Sequence, residues 1–412
     1  MLSLISRGRL NRRQKAGCRA LVGIIAGAAL VSGCSNGGVT PAGAAAPAKS
    51  GSASAAPSAA PTSPPPPKPI TVAFTGDILA HSPVFNQAAT DGRATGLAYD
   101  FRPMFAKVKA QLSAADLAIC HQETALSATD VGLSGYPVFN SPHEIANAVA
   151  DAGYDGCSTA SNHSYDHGAA GVAATIAAFD QVHVGHVGTA TTPADALKAE
   201  VHTVRGVQIA LLDYTYSLNG YVLPASQPYL VNLIDVPRIL RDAHAARLAG
   251  AKIVIVQMHW GEEYQATPTP LQRQQATQIL ASPDVDAIVG GHVHVIQPVE
   301  KIGSKYVVYG IGNFLSNQSG ECCPTQSQDG IIVTLHLAET AGKWGVSNIT
   351  YTPTYVDRFG GYVIQPDATA YEDPATSATL KQQLAASFQR TVQIMSALRA
   401  PGVTPDATPP GL

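Results

Sequence analysis

Charge is scarce in this chain. Asp, Glu, Lys and Arg make up only 13% of its 412 residues, against roughly 25% in ordinary soluble domains. With 26 basic and 29 acidic residues the net charge is -3, so there is no overall basic field of the kind that grips nucleic acid. A DNA or RNA partner is not expected. Long apolar runs are lacking too: none approaches the ~20 residues that cross a bilayer, and the body of the chain is expected to be soluble. Cysteine, at 6 residues, is too sparse for a disulfide scaffold. The hydrophobic share of 45% excludes disorder throughout, and the length suits one large domain or two small ones.

The ends of the chain differ from its middle. Arg7, Arg9, Arg12, Arg13, Lys15 and Arg19 precede an apolar run from Ala20 to Val31, the basic-then-apolar order of an export signal. Residues 1–33 therefore read as a signal peptide. The run closes on Leu30-Val31-Ser32-Gly33-Cys34, and small residues before a cysteine resemble the lipobox of bacterial lipoproteins. Cys34 is the expected lipidation site, which would place the protein outside the cytoplasm, anchored to the cell membrane by lipid; an ordinary cleaved signal and an uncleaved anchor are the alternatives. Gly33-Cys34-Ser35-Asn36-Gly37 fits the G-x-S-x-G pattern of a nucleophile elbow only by chance, because no strand of a folded sheet precedes it. Residues 34–69 are Ala, Pro, Gly and Ser with almost nothing to bury, a disordered tether extending up to ~3.1 Å per residue. Residues 401–412 repeat that composition and are expected to be a disordered tail. The chemistry must lie in residues 70–400.

Within that span, β-rich runs at Ile70–Thr75, Asp116–Cys120, Tyr154–Ser158, Val207–Asp213, Lys252–Met258, Asp286–Val289 and Lys305–Tyr309 recur. Between them, Pro103–Leu112, Pro142–Ala152, Gly168–Phe179, Val236–Leu248 and Pro268–Ala281 carry apolar residues at helical spacing. Ser141-Pro142-His143-Glu144 has the form of a capping box with proline in the first turn. Strand-like segments at Ile331–Leu337 and Val346–Thr352 and a helix at about Ala375–Leu398 follow. This alternation predicts an α/β layered core in a single large domain, with a β-rich second half.

Each apolar run delivers residues that ligate metals. Ile70–Thr75 runs into Gly76-Asp77, Asp116–Cys120 into His121-Gln122-Glu123, and Tyr154–Ala160 into Ser161-Asn162-His163. Later runs deliver His259-Trp260-Gly261, His292-Val293-His294 and Gly312-Asn313-Phe314. Loops at the carboxyl ends of such strands gather in one crevice. Carboxylate, amide and imidazole there suit divalent Zn, Fe, Mn or Co rather than a covalent nucleophile. Two such ions about 3.5–4 Å apart, bridged by Asp77 or Glu123, would generate hydroxide at neutral pH and steady a displacement at phosphorus. Singly, each fragment has a plainer meaning: Asp77 as a turn residue, Glu123 as a helix cap, Asn162 in a loop, His259 in the core. Their joint occurrence on six strand exits is what points to a shared site.

These segments resemble the CapA family of capsule biosynthesis, a branch of the calcineurin-like metallophosphoesterase superfamily named for poly-γ-glutamate production. Thr75-Gly76-Asp77, Gln122-Glu123-Thr124, Asn162-His163-Ser164-Tyr165-Asp166-His167-Gly168, His259-Trp260-Gly261-Glu262-Glu263-Tyr264 and Gly291-His292-Val293-His294-Val295-Ile296-Gln297 carry the likeness. It implies an α/β/β/α sandwich. It also implies Asp77, Glu123, Asn162, His259, His292 and His294 as ligands of two divalent ions, Mn, Fe or Zn. His163 and Asp166 would be the catalytic pair, with His163 near the reacting group either as general acid or pairing with a developing charge, and Asp166 orienting it instead of binding metal. Glu263 is either a partner of a ligand histidine or a surface charge, and Asn313 is expected beside the ligands.

The chain departs from the superfamily in places. The usual opening D-x-H lacks its histidine, the nearest one after Asp77 being His81. The second motif offers Glu123 alone instead of two aspartates, and His292-Val293-His294 replaces G-H-x-P-H, so one of those histidines is a candidate for a supporting role. His121, His143, His167, His183, His186, His202, His244 and His336 read as background, with His81 and His167 as the first exceptions to consider. Tyr214 and Tyr216 belong to the core or to a substrate groove. Cys120 could bridge to Cys157, and Cys322 to Cys323, though sequence does not decide pairing.

Three functions fit. The first is an extracytoplasmic metal-dependent hydrolase of capsule or envelope polymer, acting through metal-bound hydroxide on poly-γ-glutamate or a related polyanion, in or near a membrane capsule-synthesis complex. The second is a non-catalytic metal-binding assembly or polymer-export protein, and the third a phosphatase unrelated to capsule.

Overall fold

Apolar side chains line both faces of the central strands. In Val207–Thr215, Ile209 and Leu211 enter one core while Ala210, Leu212 and Tyr214 enter another, as the two-residue period of a strand dictates. A strand buried on both faces needs a layer on each side. The computed structural model describes residues 68–409. The signal, Cys34 and the tether up to residue 67 lie outside the described residues.

In chain order the strands are β1 (Ile70–Ile78), β2 (Leu117–Gln122), β3 (Gly156–Ser158), β4 (Gly185–Val187), β5 (Glu200–Val204), β6 (Val207–Thr215), β7 (Ile253–His259), β8 (Ala287–Gly291), β9 (Ile296–Ile302), β10 (Lys305–Ile311), β11 (Asn313–Leu315), β12 (Asp329–Thr340), β13 (Lys343–Asp357), β14 (Val363–Pro366) and β15 (Val403–Pro405). The helices are α1 (Ser82–Thr95), α2 (Arg102–Phe105), α3 (Lys109–Ala114), α4 (Ile145–Ala152), α5 (Gly168–Gln181), α6 (Val236–Leu248), α7 (Pro270–Leu280), α8 (Asp367–Glu372) and α9 (Ala378–Met395). One sheet is ordered β14-β13-β12-β1-β2-β3-β4, with β11 beside β1 and β15 beside β13; the other is ordered β5-β6-β7-β8-β10-β9. Each contains a parallel block, β1-β2-β3-β4 and β6-β7-β8-β10, so several carboxyl strand ends point the same way.

Val72, Phe74, Ile119, Leu211, Ile255 and Val333 meet between the sheets. The outer face of the first sheet receives Val84, Met104, Leu112 and Val149 from α1 to α4, and that of the second receives Ile239 from α6 and Ile279 from α7. This is the expected α/β/β/α layering in one domain. Burying each such side chain stabilises by about 1.5–3 kcal/mol, which holds the two sets of strand ends in fixed apposition.

Local expectations shift in four places. Pro103–Leu112 breaks into α2 and α3. The helix expected from Pro142 starts at Ile145 without a side-chain cap, because the Ser141 hydroxyl donates instead to Thr124 Oγ1 at 2.9 Å; the capping box that does form joins Thr269 and Gln272 at α7. Helix α1 was not anticipated, although Pro83 in its first turn and the left-handed Gly96 after its end are its signals. Finally, residues expected as a disordered tail from 401 include β15, parallel to β13, and Asp406, whose carboxylate accepts from Thr352 Oγ1 at 2.6 Å. Polar composition suggested a tail there, but backbone pairing to the neighbouring strand orders it. Cys120 and Cys157, register partners on β2 and β3, form a disulfide, and Cys322 with Cys323 forms another.

Candidate metal centre

The parallel blocks bring their ligand-type residues to one end of the sandwich. Asp77 ends β1, His121 and Glu123 lie at the end of β2, and Asn162 and His163 follow β3 in the first sheet. His259 ends β7, while His292 and His294 follow β8 in the second. Gly76 allows β1 to reach this position: a Cβ there would stand 1.9 Å from the Gly312 carbonyl oxygen, which instead accepts from Asp77 N at 3.0 Å.

Asp77 is the hub. Its Oδ2 accepts from His292 N at 3.2 Å and lies 3.2 Å from His294 Nδ1, while its Oδ1 lies 3.9 Å from His121 Nε2. His259 sits between the remaining groups, with Nε2 2.6 Å from Asn162 Oδ1 and Nδ1 2.9 Å from His121 Nε2. Glu123 Oε1 is 4.0 Å from His259 Nε2 and 3.8 Å from His294 Nε2. His294 Nδ1 also lies 3.0 Å from Asn313 Oδ1. His292 and His294 adopt φ of +86° and +57°, left-handed values that cost non-glycine residues energy and collect at functional sites. Val293 between them is fully buried, so the pair reaches the crevice while the intervening residue holds the core.

The donors fall into three overlapping groups, each able to converge on one point: Asp77 with His121 and His259, Asp77 with Glu123 and His294, and Glu263 with His292 and His294. Asp77 belongs to two of them. Both Glu123 oxygens and His292 Nδ1 are buried without a hydrogen-bond partner, and among the described residues no Lys or Arg pairs with Asp77 or Glu123. A carboxylate at 0% exposure with both oxygens unpartnered, as in Glu123, is costly unless a cation or proton joins it. The donor set thus fits divalent metal, with oxygen and imidazole nitrogen and no thiolate.

Electrostatics agree. Burial, reinforced by the His294 charge, pushes His292 down to about 3. Burial also lowers His121 and sends His259 well below the ordinary imidazole range; all three stand as neutral donors. His294 differs. Burial opposes its charge, but the Glu123 carboxylate and the Asp77 hydrogen bond lift it to about 9. For Asp77, burial is outweighed by the His294 hydrogen bond and the surrounding imidazoles, and its carboxyl is held below the usual range. Burial raises the Glu123 carboxyl well above the usual range, so in the absence of a cation the protons of Glu123 and His294 together neutralise this pocket.

Beside the cluster, His163 Nδ1 lies 2.7 Å from Asp166 Oδ2, which also accepts from Phe139 N at 2.7 Å. Asn219 Nδ2 stands 3.4 Å from His163 Nε2. A cleft of about 750 Å³ adjoins His292 and is lined by Tyr216, Trp260, Glu262, Glu263 and Gln272. Tyr216, at 45% exposure, stands over the His292 ring at 4.3 Å and so faces this groove, whereas Tyr214 is core. Glu263 is exposed.

One residue read as background belongs here. His121 pairs in register with Asp77 across β1 and β2 and stands in a donor group with Asp77 and His259. His81 does not join: burial pushes it down to about 4, and its Nδ1 lies 3.2 Å from the Leu79 carbonyl. His167 precedes α5 and is in none of the donor groups.

The family model described as bacterial capsule synthesis protein PGA_cap matches residues 71–318. The chain is 30% identical over 199 residues to the capsule biosynthesis protein CapA of Bacillus anthracis, covering 48% of this chain and 47% of that one. It is 31% identical over 209 residues to the PGA biosynthesis protein CapA of Bacillus subtilis (strain 168), covering 50% and 53%. The match thus spans about half the length of these curated relatives. Among solved structures, the calcineurin-like phosphoesterase YfkN from Bacillus subtilis aligns over 79% of this chain and 98% of that chain, at 14% identity and a TM-score of 0.44.

Proposed function

The chain belongs to the bacterial capsule synthesis protein family PGA_cap, and from that premise we propose that it is a metal-dependent hydrolase of capsule or envelope-polymer biosynthesis. It works outside the cytoplasm, held to the membrane through lipid on Cys34. The observation that carries the reading is Asp77, shared between two donor groups with the His163–Asp166 pair beside them. Two divalent ions, Mn, Fe or Zn, would divide between those groups, and once bound would supply Lewis acidity and a water of lowered pKa.

The side chains then have separate tasks. Asp77, His121 and His259 would hold one ion and Asp77, Glu123 and His294 the other, with His292 and Asn162 as further donors beside them. Asp166 orients the His163 ring through Nδ1, which leaves Nε2 to exchange a proton with the reacting group. The neighbouring cleft carries Glu262 and Glu263 and, among the described residues, no Lys or Arg. A polyanion such as poly-γ-glutamate therefore requires the cations themselves as its positive field.

The depth of burial favours one other reading, a non-catalytic metal-binding assembly or export protein. Asp77 and Glu123 are 0% exposed and His259 1%, as befits ions that brace a fold. The test is metal analysis of the full chain together with turnover of phosphoesters and of poly-γ-glutamate, beside Asp77→Asn and His292→Ala. Metal-dependent cleavage lost in both variants supports the hydrolase. Bound metal with no turnover of any substrate supports the assembly role.

A further inference from the structure

Behind Asp77, His121 and His259 lies an internal cavity of about 10 Å³, bordered also by Ser158, Asp213, Gln257 and Met258. That is the space of one water molecule. Asp213 stands on β6 in register with Gln257 on β7 and is 1% exposed. Its Oδ2 accepts from Thr159 N at 2.9 Å and Ala160 N at 2.6 Å. Those amides belong to the segment that leaves β3 and leads into Asn162 and His163, so a carboxyl group of one sheet ties down a ligand loop of the other. Gly188, at φ +108°, makes the approach possible, because a Cβ there would stand 2.2 Å from Oδ2.

The other oxygen is unemployed. Asp213 Oδ1 and Gln257 Nε2 are both buried without partners, an acceptor and a donor bordering the same one-water space. Unmatched buried groups of this kind are rare and call for a bridging water. Ser158 borders the space as well, and its Oγ is 2.7 Å from His121 Nδ1. When His121 turns Nε2 to a metal, Nδ1 must carry the proton and donate it to Ser158 Oγ. The serine hydroxyl itself donates to the Cys120 carbonyl oxygen at 3.3 Å, which leaves its second lone pair to accept from the water.

We propose that Asp213 is a positioning residue of the metal centre: one oxygen anchors the Asn162–His163 loop, and the other completes a water-bridged relay through Ser158 to His121. Carboxylates commonly fix the ring orientation of a ligand histidine directly; here the same task is done at one remove. The proposal rests on the metal-centre reading above.

The test uses the full chain, stripped of metal and titrated with Co(II), whose visible spectrum reports coordination geometry. Amide exchange at Ala160 is measured alongside. Asp213→Asn keeps an oxygen for the two backbone amides but presents an amide to the water. It is expected to leave exchange at Ala160 near wild type, weaken cobalt binding about tenfold and alter the spectrum. Ser158→Ala should do the same, and the double variant should be no worse than either single one, since both break one relay. Asp213→Ala should also speed exchange at Ala160. Unchanged cobalt affinity and spectrum in Asp213→Asn and Ser158→Ala would overturn the proposal alone. No cobalt uptake by wild type would overturn the metal centre and the proposal with it.

Discussion

Asp77 and His121 are register partners on adjacent parallel strands, with His121 Nε2 3.9 Å from Asp77 Oδ1. Pairing of β1 with β2 thus brings to Asp77 an imidazole that its own strand does not carry. His121 also touches His259 of the opposite sheet at 2.9 Å, so it spans both halves of the donor cluster.

Removing that imidazole tests whether it is a ligand. His121→Ala is expected to weaken divalent metal binding by at least about tenfold while the chain stays folded, as followed by Mn(II) titration calorimetry and circular dichroism. Wild-type affinity in this variant would return His121 to the background.

The His294 proton makes metal binding pH-dependent. In the metal-free protein His294 is raised from 6.5 to about 9. Its contribution to stability is fully present below pH 6.5 and is lost as pH rises through 9. A cation competes with that proton, so metal affinity should climb over the same window and binding should release a proton. Melting temperatures with and without chelator, from pH 6 to about 9.5, should diverge upward with pH. A gap that narrows instead would contradict this assignment.

His163 and Asp166 should separate chemistry from metal retention. His163→Asn is expected to reduce turnover about 10²–10⁴-fold with metal content unchanged. Asp166→Asn should act in the same direction through the orientation of the ring. Loss of metal in His163→Asn would show that the residue supports the cluster rather than the reaction.

The disulfide between register partners Cys120 and Cys157 ties β2 to β3 a few residues before Glu123 and Asn162. Replacing both by alanine should cost about 2–4 kcal/mol of stability, read from denaturant melts under oxidising conditions. A melt that matches wild type would mean that the bridge does not form in the protein.

Several parts of this architecture were legible in the amino-acid order. Apolar runs ending at Asp77, His259 and His292 announced strands whose exits carry ligands, because a doubly buried strand must be apolar until it leaves the core. His292-Val293-His294 was readable for a similar reason, with Val293 the residue that cannot leave the core. Helix starts were less legible. Ser141 has the composition of a cap, yet its hydroxyl is taken by Thr124, a partner that only the folded loop brings near.

The sequence by itself determined which segments alternate between strand and helix, which side chains could serve as ligands, and that carboxylates and imidazoles would dominate the crevice. Tertiary structure decided the rest. Strand register recruited His121 and passed over His81, pairing with β13 turned an expected tail into β15, and sheet-on-sheet packing left Asp213 facing the back of the centre. The physical reason is that composition and periodicity act within a segment. Which two distant side chains share a few ångströms depends on how strands slide past one another before the core locks them.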